Sequence, residues 1–167
     1  MSGLTKAALL VLAALVVAYV AWVAHFEWKL GRDQPQGPTS LVIVTTKSDG
    51  SNHDRVLSRL VDDDGSLYVA VNHWPRAWYR QALANPQVQI TMDGETGEFL
   101  AVPMEGPQHD YLMERFPLRF RSRLQMGFPP RYFLRLEPAG RAPLAAYSHI
   151  LRNRSSGSEN STALGSK

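Results

Sequence analysis

The most hydrophobic part of the chain lies at its start, where residues 7–24 contain no charged side chain. An α-helix needs roughly 20 apolar residues to cross a bilayer, and residues 4–24 approach that length despite Lys6 near the beginning. Three aromatic side chains follow where an interfacial aromatic belt would lie, namely Trp22, Phe26 and Trp28. The pattern therefore predicts an N-terminal transmembrane anchor over residues 1–30.

A cleaved secretory signal is the alternative interpretation of the same segment. The apolar part of such a signal is usually about 7–15 residues long, which is shorter than the run in this chain. Tyr19 and Trp22 also occupy positions where a cleavage site requires small side chains. An uncleaved single-pass anchor is favoured, and Lys29 and Arg32 behind it indicate a cytoplasmic location for the rest of the chain.

Beyond a Gly- and Pro-rich linker at residues 31–40, the pattern changes to short alternating hydrophobic runs that are typical of strands. Polar turns that contain Gly or Asp separate several of these runs, as expected for hairpins. The predicted strands cover residues 41–46, 53–61, 66–72, 87–93, 96–102 and 132–137. Helical spacing of apolar residues predicts two short helices, at residues 76–84 and 106–116.

This order of elements, in which hairpins dominate, predicts a mainly β (α+β) domain in residues 41–141. About six short strands with hairpin connections favour an antiparallel barrel over a parallel sheet. A basic aromatic segment at residues 118–128 is assigned to neither a helix nor a strand. Residues 142–167 are predicted to form a short helix at 144–151, followed by a disordered tail rich in Ser, Gly and Asn.

Composition narrows the function only a little. The 167 residues are 44% hydrophobic and 20% charged, which suits one folded domain with appended segments. A net charge of +3 is too small to indicate nucleic-acid binding by itself. The chain has no cysteine, which excludes disulfides, cysteine-ligated metals and thiol catalysis. Arginines concentrate in the last third of the chain, a pattern that suits an anionic ligand, an anionic membrane surface or an ordinary solvated face.

Residues 69–90 are the most informative stretch for a binding site. They read as the end of a strand, a polar and aromatic turn, a short helix and the start of the next strand. Such a junction places Asn72, His73 and Trp78 together at a strand end, where a fixed scaffold can present them to a ligand. The plainer interpretations are a surface histidine for His73 and a core aromatic for Trp78.

The order of elements and the segment AWYRQALANPQVQI at residues 77–90 resemble the deazaflavin-dependent nitroreductase family, a branch of the split β-barrel flavin-binding proteins. The resemblance spans about residues 41–140, and the segment at 77–90 is its most specific part. It implies a split β-barrel that binds a deazaflavin (coenzyme F-420) or FMN. It also implies a two-electron reduction of a quinone-like or nitro acceptor.

The resemblance further implies where the cofactor binds. Family members hold the cofactor phosphate in the first hairpin turn, typically with a Gly-Arg-Lys-Ser/Thr-Gly sequence. In this chain Lys47, Ser48 and Gly50 can fill those roles, but the arginine is missing and Asp49 adds a negative charge. The alternative for this segment is an ordinary polar turn.

By the same resemblance, Asn72 and His73 would hold the edge of the cofactor ring and Trp78 its face. No metal site is predicted. The expected partners are the lipid bilayer, a small quinone or nitro acceptor and a second copy of the chain, as a homodimer. The competing function is a membrane-tethered split-barrel interaction or assembly protein that has lost cofactor binding. The altered first turn and the bulky residues 72–75, where the family has glycines, favour that alternative.

Overall fold

The computed structural model describes residues 3–34, 36–74 and 77–140. The first element is the helix α1, Gly3–Asp33, which continues three residues into the segment predicted as a linker. Among the described residues it is the one helix long and apolar enough to cross a membrane. Every residue from Gly3 to Trp22 is exposed, so the rest of the fold leaves the apolar part of this helix uncovered.

Six strands and three further helices follow α1 in the described part of the chain. The strands are β1 (Ser40–Thr46), β2 (Asn52–Val61), β3 (Leu67–Val71), β4 (Gln87–Met92), β5 (Glu95–Pro103) and β6 (Tyr132–Pro138). The helices are α2 (Ala77–Ala84), α3 (Gly106–Arg115) and α4 (Phe120–Gln125). The strands pair only in antiparallel fashion and close into a barrel in the order β1-β2-β3-β6-β5-β4. The predicted six-stranded antiparallel barrel is confirmed.

The alternation in β1 shows how the sequence builds the barrel core. Leu41, Ile43 and Thr45 are buried, while the residues between them are only half-buried. Each fully buried aliphatic side chain contributes about 1.5–3 kcal/mol relative to exposure. Thr45 is polar, and its hydroxyl donates a hydrogen bond to Gln81 Oε1 at 2.8 Å, which ties α2 to the end of the barrel.

The second half of α1 packs against the barrel. Val23 is buried, and a Cβ added at Gly127 would lie 2.9 Å from Val23 Cγ1. Gly127 has a φ of +72°, so both its backbone conformation and the close approach of α1 favour glycine at this position. The Tyr19 hydroxyl donates a hydrogen bond to the carbonyl oxygen of Leu124 at 2.9 Å. The helix is therefore fixed to the segment that follows α3.

The prediction of two short helices after the anchor is corrected by α4, which lies inside the segment that received no assignment. Six residues are fewer than two helical turns, and the alternating order Arg119-Phe120-Arg121-Ser122-Arg123 hides helical periodicity. The predicted strands, α2 and α3 agree with the structure to within one or two residues at their ends. The helix predicted at 144–151 and the tail at 152–167 lie outside the described residues.

Candidate active site

A cleft opens where β2 and β3 diverge. The two strands pair at three positions, Arg59 with Val69, Leu60 with Tyr68 and Val61 with Leu67. Before Arg59, residues 55–58 of β2 separate from residues 70–73, and a cavity of about 170 Å³ lies between them. Its lining consists of Leu30, Gln34, Arg55, Val56, Leu57, Ser58, Ala70, Val71, Asn72, His73 and Trp78. We call this cavity the β2–β3 cleft.

The end of α1 forms the roof of the cleft and satisfies the open edge of β2. The Val56 backbone N–H donates to Gln34 Oε1 at 2.9 Å, in place of a bond to a neighbouring strand. Arg55 Nη1 donates to the carbonyl oxygen of Gly31 at 2.8 Å. A buried backbone N–H without a partner is costly, so Gln34 stabilises the split in the barrel.

A hydrogen bond joins the roof to the far wall of the cleft. His73 Nδ1 lies 2.6 Å from Glu27 Oε1, and their side chains are only 24% and 15% exposed. Because a carboxylate can only accept, Nδ1 carries the proton in this bond, and Nε2 is the ring nitrogen that can serve a ligand. The Phe26 ring packs near the same imidazole, with ring centroids 6.4 Å apart. His73 is thus positioned by α1.

Asn72 is positioned by a half-buried arginine, Arg131. Arg131 Nε donates to Asn72 Oδ1 at 2.7 Å, and Arg131 Nη1 donates to the carbonyl oxygen of Phe116. The guanidinium also lies over the Phe133 ring, 4.6 Å from its centroid. Burial lowers the pKa of Arg131 to about 10, so the side chain is still charged at neutral pH. These contacts fix the Asn72 amide with its nitrogen as the donor left for a ligand.

Trp78 combines the two roles considered for it. It is 2% exposed and belongs to the main hydrophobic core, and it also lines the cleft. The adjacent Tyr79 stacks on Tyr132 of β6, with ring centroids 5.4 Å apart and an interplanar angle of 14°. The indole therefore forms a rigid wall, since the helix that carries it is anchored to the barrel on two sides.

The first hairpin turn lies apart from the cleft lining. The backbone N–H of Ser51 and its hydroxyl both donate to Asp49 Oδ1, at 2.8 and 2.6 Å. The side-chain bond, followed by the backbone bond, lowers the pKa of the Asp49 carboxyl. Gly50 has a φ of +80° and open space around its Cα. Lys47 and Ser48 are exposed, so their side chains can reach an anion.

His53 lies on β2 between this turn and the cleft. It pairs with Thr45 across the hairpin, and its ring atom Nδ1 is buried without a hydrogen-bond partner among the described residues. A buried polar atom of this kind usually has a partner in a folded protein. His53 therefore lies between the turn and the cleft with one buried ring nitrogen left unsatisfied by the described residues.

The structure brings together three of the six site residues predicted from the sequence, Asn72, His73 and Trp78. It places Lys47, Ser48 and Gly50 at the other end of β2. Four residues that contribute to the site escaped the sequence analysis: Glu27, Gln34, Arg55 and Arg131. Their partners are 15 to 59 positions away in the chain, and only the strand-end position of Asn72 and His73 gave a local signal.

The barrel and its cleft give this chain a split β-barrel fold. A protein of unknown function from Agrobacterium tumefaciens is similar in structure, with 14% identity, 67% of this chain covered and a TM-score of 0.51. The chain spans about half of that protein, 53% of its length. A pyridoxamine 5'-phosphate oxidase-related, FMN binding protein from Nostoc punctiforme is 18% identical over 72% of this chain and 78% of its own, with a TM-score of 0.44.

The chain belongs to the F420H(2)-dependent quinone reductase family, whose model matches residues 17–125. The match begins within α1 and ends with α4, so it includes the roof, the barrel strands β1–β5 and the cleft. No curated protein sequence matches the chain. Membership makes this protein a quinone-reducing oxidoreductase whose cofactor is a deazaflavin, and the predicted family resemblance is confirmed.

The side chains of the cleft fit a planar, polar-edged ring. Trp78 provides an apolar wall, while the Asn72 amide and the His73 imidazole provide hydrogen-bonding groups at the edge. His53, with its buried Nδ1, lies on β2, and the exposed Lys47 lies in the turn that precedes this strand. These are the groups that would hold the cofactor.

Proposed function

We propose that this protein is a membrane-anchored reductase that transfers hydride from a reduced deazaflavin to a lipid-soluble quinone in the β2–β3 cleft. The observation that carries the proposal is the double role of α1. The same helix is the candidate membrane span and the roof of the cleft. A quinone that diffuses along the membrane surface would therefore meet the cleft at the end of the anchor.

A second cavity supports this route for the acceptor. It has a volume of about 430 Å³, is mostly apolar and lies between α1 and Gly127. Its lining is Tyr19, Val20, Val23, Ala24, Glu27, Trp74 and Gly127. Glu27 lines this cavity and pairs with His73, which lines the cleft. The Glu27–His73 pair would then stand between the entry of the acceptor and the site of its reduction.

For the cofactor, we infer that Asn72, His73 and Trp78 hold the ring and that Lys47, Ser48 and Gly50 hold its phosphate. Asn52, the first residue of β2, lies three residues from Arg55, which corresponds to about 10 Å along a strand. The tail of a ring bound in the cleft can span that distance past His53. Phosphate binding would rest on the Lys47 ammonium and the Ser48 hydroxyl, since Asp49 already occupies the Ser51 donors.

The protein has one proton to deliver in this reaction. Reduction of a quinone to a quinol consumes two electrons and two protons, and a reduced deazaflavin held in the cleft would supply both electrons and one proton as a hydride. His73 Nε2 would donate the second proton to the quinone oxygen. Glu27 holds the ring through Nδ1 and keeps Nε2 directed to that task.

The test is the oxidation of reduced deazaflavin by the full-length protein in lipid nanodiscs, with a naphthoquinone as acceptor. Removal of a general acid typically costs about 10²–10⁴-fold, so we expect His73→Ala to lower kcat by about 10²-fold or more. Glu27→Gln should lower kcat by a smaller factor and leave the Kd for deazaflavin unchanged. Glu114→Gln, an exposed carboxylate on α3, is the matched control.

A rate unaffected by both cleft substitutions would overturn the assignment of His73 and Glu27. If the folded protein bound neither deazaflavin nor FMN, the tethered interaction protein would be the better account. Nitroaromatic acceptors in the same assay distinguish a quinone reductase from a nitroreductase. The homodimer and the cytoplasmic location are further proposals, to be tested by light scattering and by labelling from either side of the membrane.

The role of α1 as a roof has its own matched pair of variants. Gly127→Ala introduces a Cβ against Val23 at a φ of +72°, whereas Gly94→Ala introduces one at +86° with open space around it. Both variants carry the backbone strain, about 1–2 kcal/mol. Only Gly127→Ala displaces α1, so it should also lower turnover. Equal turnover in the two variants would separate α1 from catalysis.

A further inference from the structure

The segment that follows α3 exposes large apolar side chains. Phe120 is 68% exposed, and Leu124 and Phe128 are each 43% exposed. Phe120 and Phe128 pack on each other with ring centroids 5.9 Å apart, and the Arg123 guanidinium lies 5.6 Å from the Phe128 centroid. The three apolar side chains lie on α4 and the turn after it, which we call the α4 surface, residues 119–128.

The backbone of the α4 surface is strained in a way that keeps Phe128 beside Phe120. Phe128 has a φ of +53°, a left-handed conformation that is unfavourable for an aromatic residue. Strain of this kind persists where the surrounding structure or a function requires it. In this turn it maintains an exposed aromatic pair.

The α4 surface is also strongly basic. Residues 119–128 contain three arginines and no aspartate or glutamate. Arg119, Arg121 and Arg123 are exposed, and they alternate along the sequence with Phe120 and a serine. Exposed aromatic and aliphatic side chains among arginines are the composition of helices that lie in the interface of an anionic membrane.

The position of α4 beside α1 gives a second and independent indication. The Tyr19 hydroxyl bonds to the Leu124 carbonyl, and Tyr19 and Trp22 border a cavity with Arg121, Leu124 and Gln125. Tyr19 lies five residues before Ala24, where the apolar run ends, which is about 7.5 Å along the helix axis. Amphipathic helices lie about 5–10 Å deep in the interface, so α4 would be at the corresponding depth.

We propose that the α4 surface is a second membrane contact, which orients the barrel on an anionic leaflet. Phe120, Leu124 and Phe128 insert at the boundary between headgroups and acyl chains. Arg119, Arg121 and Arg123 contact the phosphates of anionic phospholipids. The proposal rests on the assignment of α1 as the membrane anchor, but not on the identity of the cofactor or the acceptor.

The test uses spin labels on the full-length protein in vesicles that contain phosphatidylglycerol and phosphatidylcholine. Because the chain has no cysteine, each substitution introduces a single label site. Phe120→Cys and Leu124→Cys place labels on the α4 surface. Leu100→Cys, on β5 and 38% exposed, is the matched control outside it, and Val16→Cys reports on α1. The depth of each label is obtained by comparing its spin relaxation by oxygen, which dissolves in the bilayer, with its spin relaxation by a water-soluble nickel complex.

We expect the labels at 16, 120 and 124 to lie within the bilayer and the label at 100 to lie in water. A buried label at 16 with labels at 120 and 124 in water would overturn the α4 contact and leave the anchor intact. A label at 16 in water would overturn both. Dipolar broadening between labels at 120 would assign the surface to a second copy of the chain and also overturn the lipid contact.

The charge requirement is tested with arginine variants that carry the label at 124. Each arginine near an anionic surface changes the ratio of inserted to free label by about fivefold. Arg121→Gln with Arg123→Gln should therefore lower that ratio by about 25-fold, while Arg80→Gln on α2 leaves it unchanged. The ratio should also fall in vesicles of phosphatidylcholine alone. An unchanged ratio in both experiments would overturn the headgroup contact.

Discussion

The two turns at the ends of β2 have the same architecture, although only the first is implicated in cofactor binding. In the turn at residues 47–51, the Lys47 N–H donates to the Ser51 carbonyl oxygen at 2.8 Å, and the Gly50 N–H donates to the Lys47 carbonyl oxygen at 3.0 Å. In the turn at residues 62–66, the corresponding distances are 3.0 and 3.0 Å. Gly50 and Gly65 have nearly equal φ values of +80° and +83°.

The aspartate–serine bonds are also the same. Asp49 accepts from the N–H and the hydroxyl of Ser51, and Asp64 accepts from the same groups of Ser66. In each turn a carboxylate of the protein thus uses donors that an anionic ligand could otherwise use. The two turns differ in their first two residues, Lys47-Ser48 against Asp62-Asp63. The backbone conformation therefore does not distinguish a turn that binds phosphate from one that does not. The side chains of the first two residues must make that difference.

The second turn uses its carboxylates to hold α3. Asp62 accepts from the Tyr111 hydroxyl at 2.9 Å and from Arg115 Nε at 3.0 Å, and Asp63 pairs with the same arginine. Burial raises the pKa of Asp62, but the bonds from the Asp63 N–H, Tyr111 and Arg115 outweigh it and lower the pKa overall. The same backbone turn thus holds α3 at residues 62–66, after β2, and leaves exposed side chains available for binding at residues 47–51, before β2.

The largest expected effect is on stability at the second turn. Asp62→Ala removes the acceptor for two side chains of α3, and bonds to charged groups are worth about 1.5–3 kcal/mol each. We expect the free energy of unfolding to fall by about 2 kcal/mol in urea denaturation, less than the sum of the two bonds, because Tyr111 and Arg115 are both exposed to water. Asp64→Ala, which removes only local turn bonds, should cost less. Equal losses would show that the contact with α3 contributes little.

The next effect concerns binding at the first turn. Lys47→Ala removes a charge-assisted contact to phosphate, so the Kd for deazaflavin should rise about tenfold while the free energy of unfolding stays unchanged. Fluorescence quenching in a titration measures it, and Lys29→Ala is the control. The effect should shrink at high salt. An unchanged Kd for deazaflavin in Lys47→Ala would mean that the cofactor tail binds elsewhere.

A smaller effect in the opposite direction is expected from Asp49. Asp49→Asn removes a negative charge beside the proposed phosphate site, which should tighten deazaflavin binding by up to about fivefold at low salt. Asp64→Asn makes the same change at the equivalent position of the other turn, and it should leave the affinity for deazaflavin unaltered. Weaker binding of deazaflavin by Asp49→Asn would mean that the carboxylate supports the site by holding Ser51 in place.

The smallest effect is on the pH dependence of stability. Despite the burial of Asp62, the pKa values of Asp49 and Asp62 are both lowered in the folded protein by the hydrogen bonds that their carboxylates accept. Their contributions are fully present above the unfolded value of about 3.9 and are lost as the pH falls toward the folded values. Replacing either by Asn should flatten the acid limb of an unfolding curve below about pH 4. A steeper limb would contradict the sign of these shifts.

The sequence predicted the parts of this molecule that depend on local patterns. Alternation in residues 41–46 predicts β1 to the residue at its end, and the junction after Val71 predicts the strand end that borders the β2–β3 cleft. The roof could not be predicted, because nothing near Gln34 indicates that its amide will bond to Val56. Arg131 is similar: its partner Asn72 lies 59 positions earlier, and only the closed barrel brings them together.

Since α1 is one continuous helix of 31 residues, its two halves cannot reorient separately. A helix whose apolar length exceeds the thickness of the surrounding hydrocarbon tilts, and the cost of mismatch is a fraction of a kcal/mol per Å. Tilting of the proposed anchor would move its last turn, and with it Leu30 and Gln34, relative to β2. The acyl-chain length of the host membrane would then set the width of the β2–β3 cleft mechanically, with α1 as the lever.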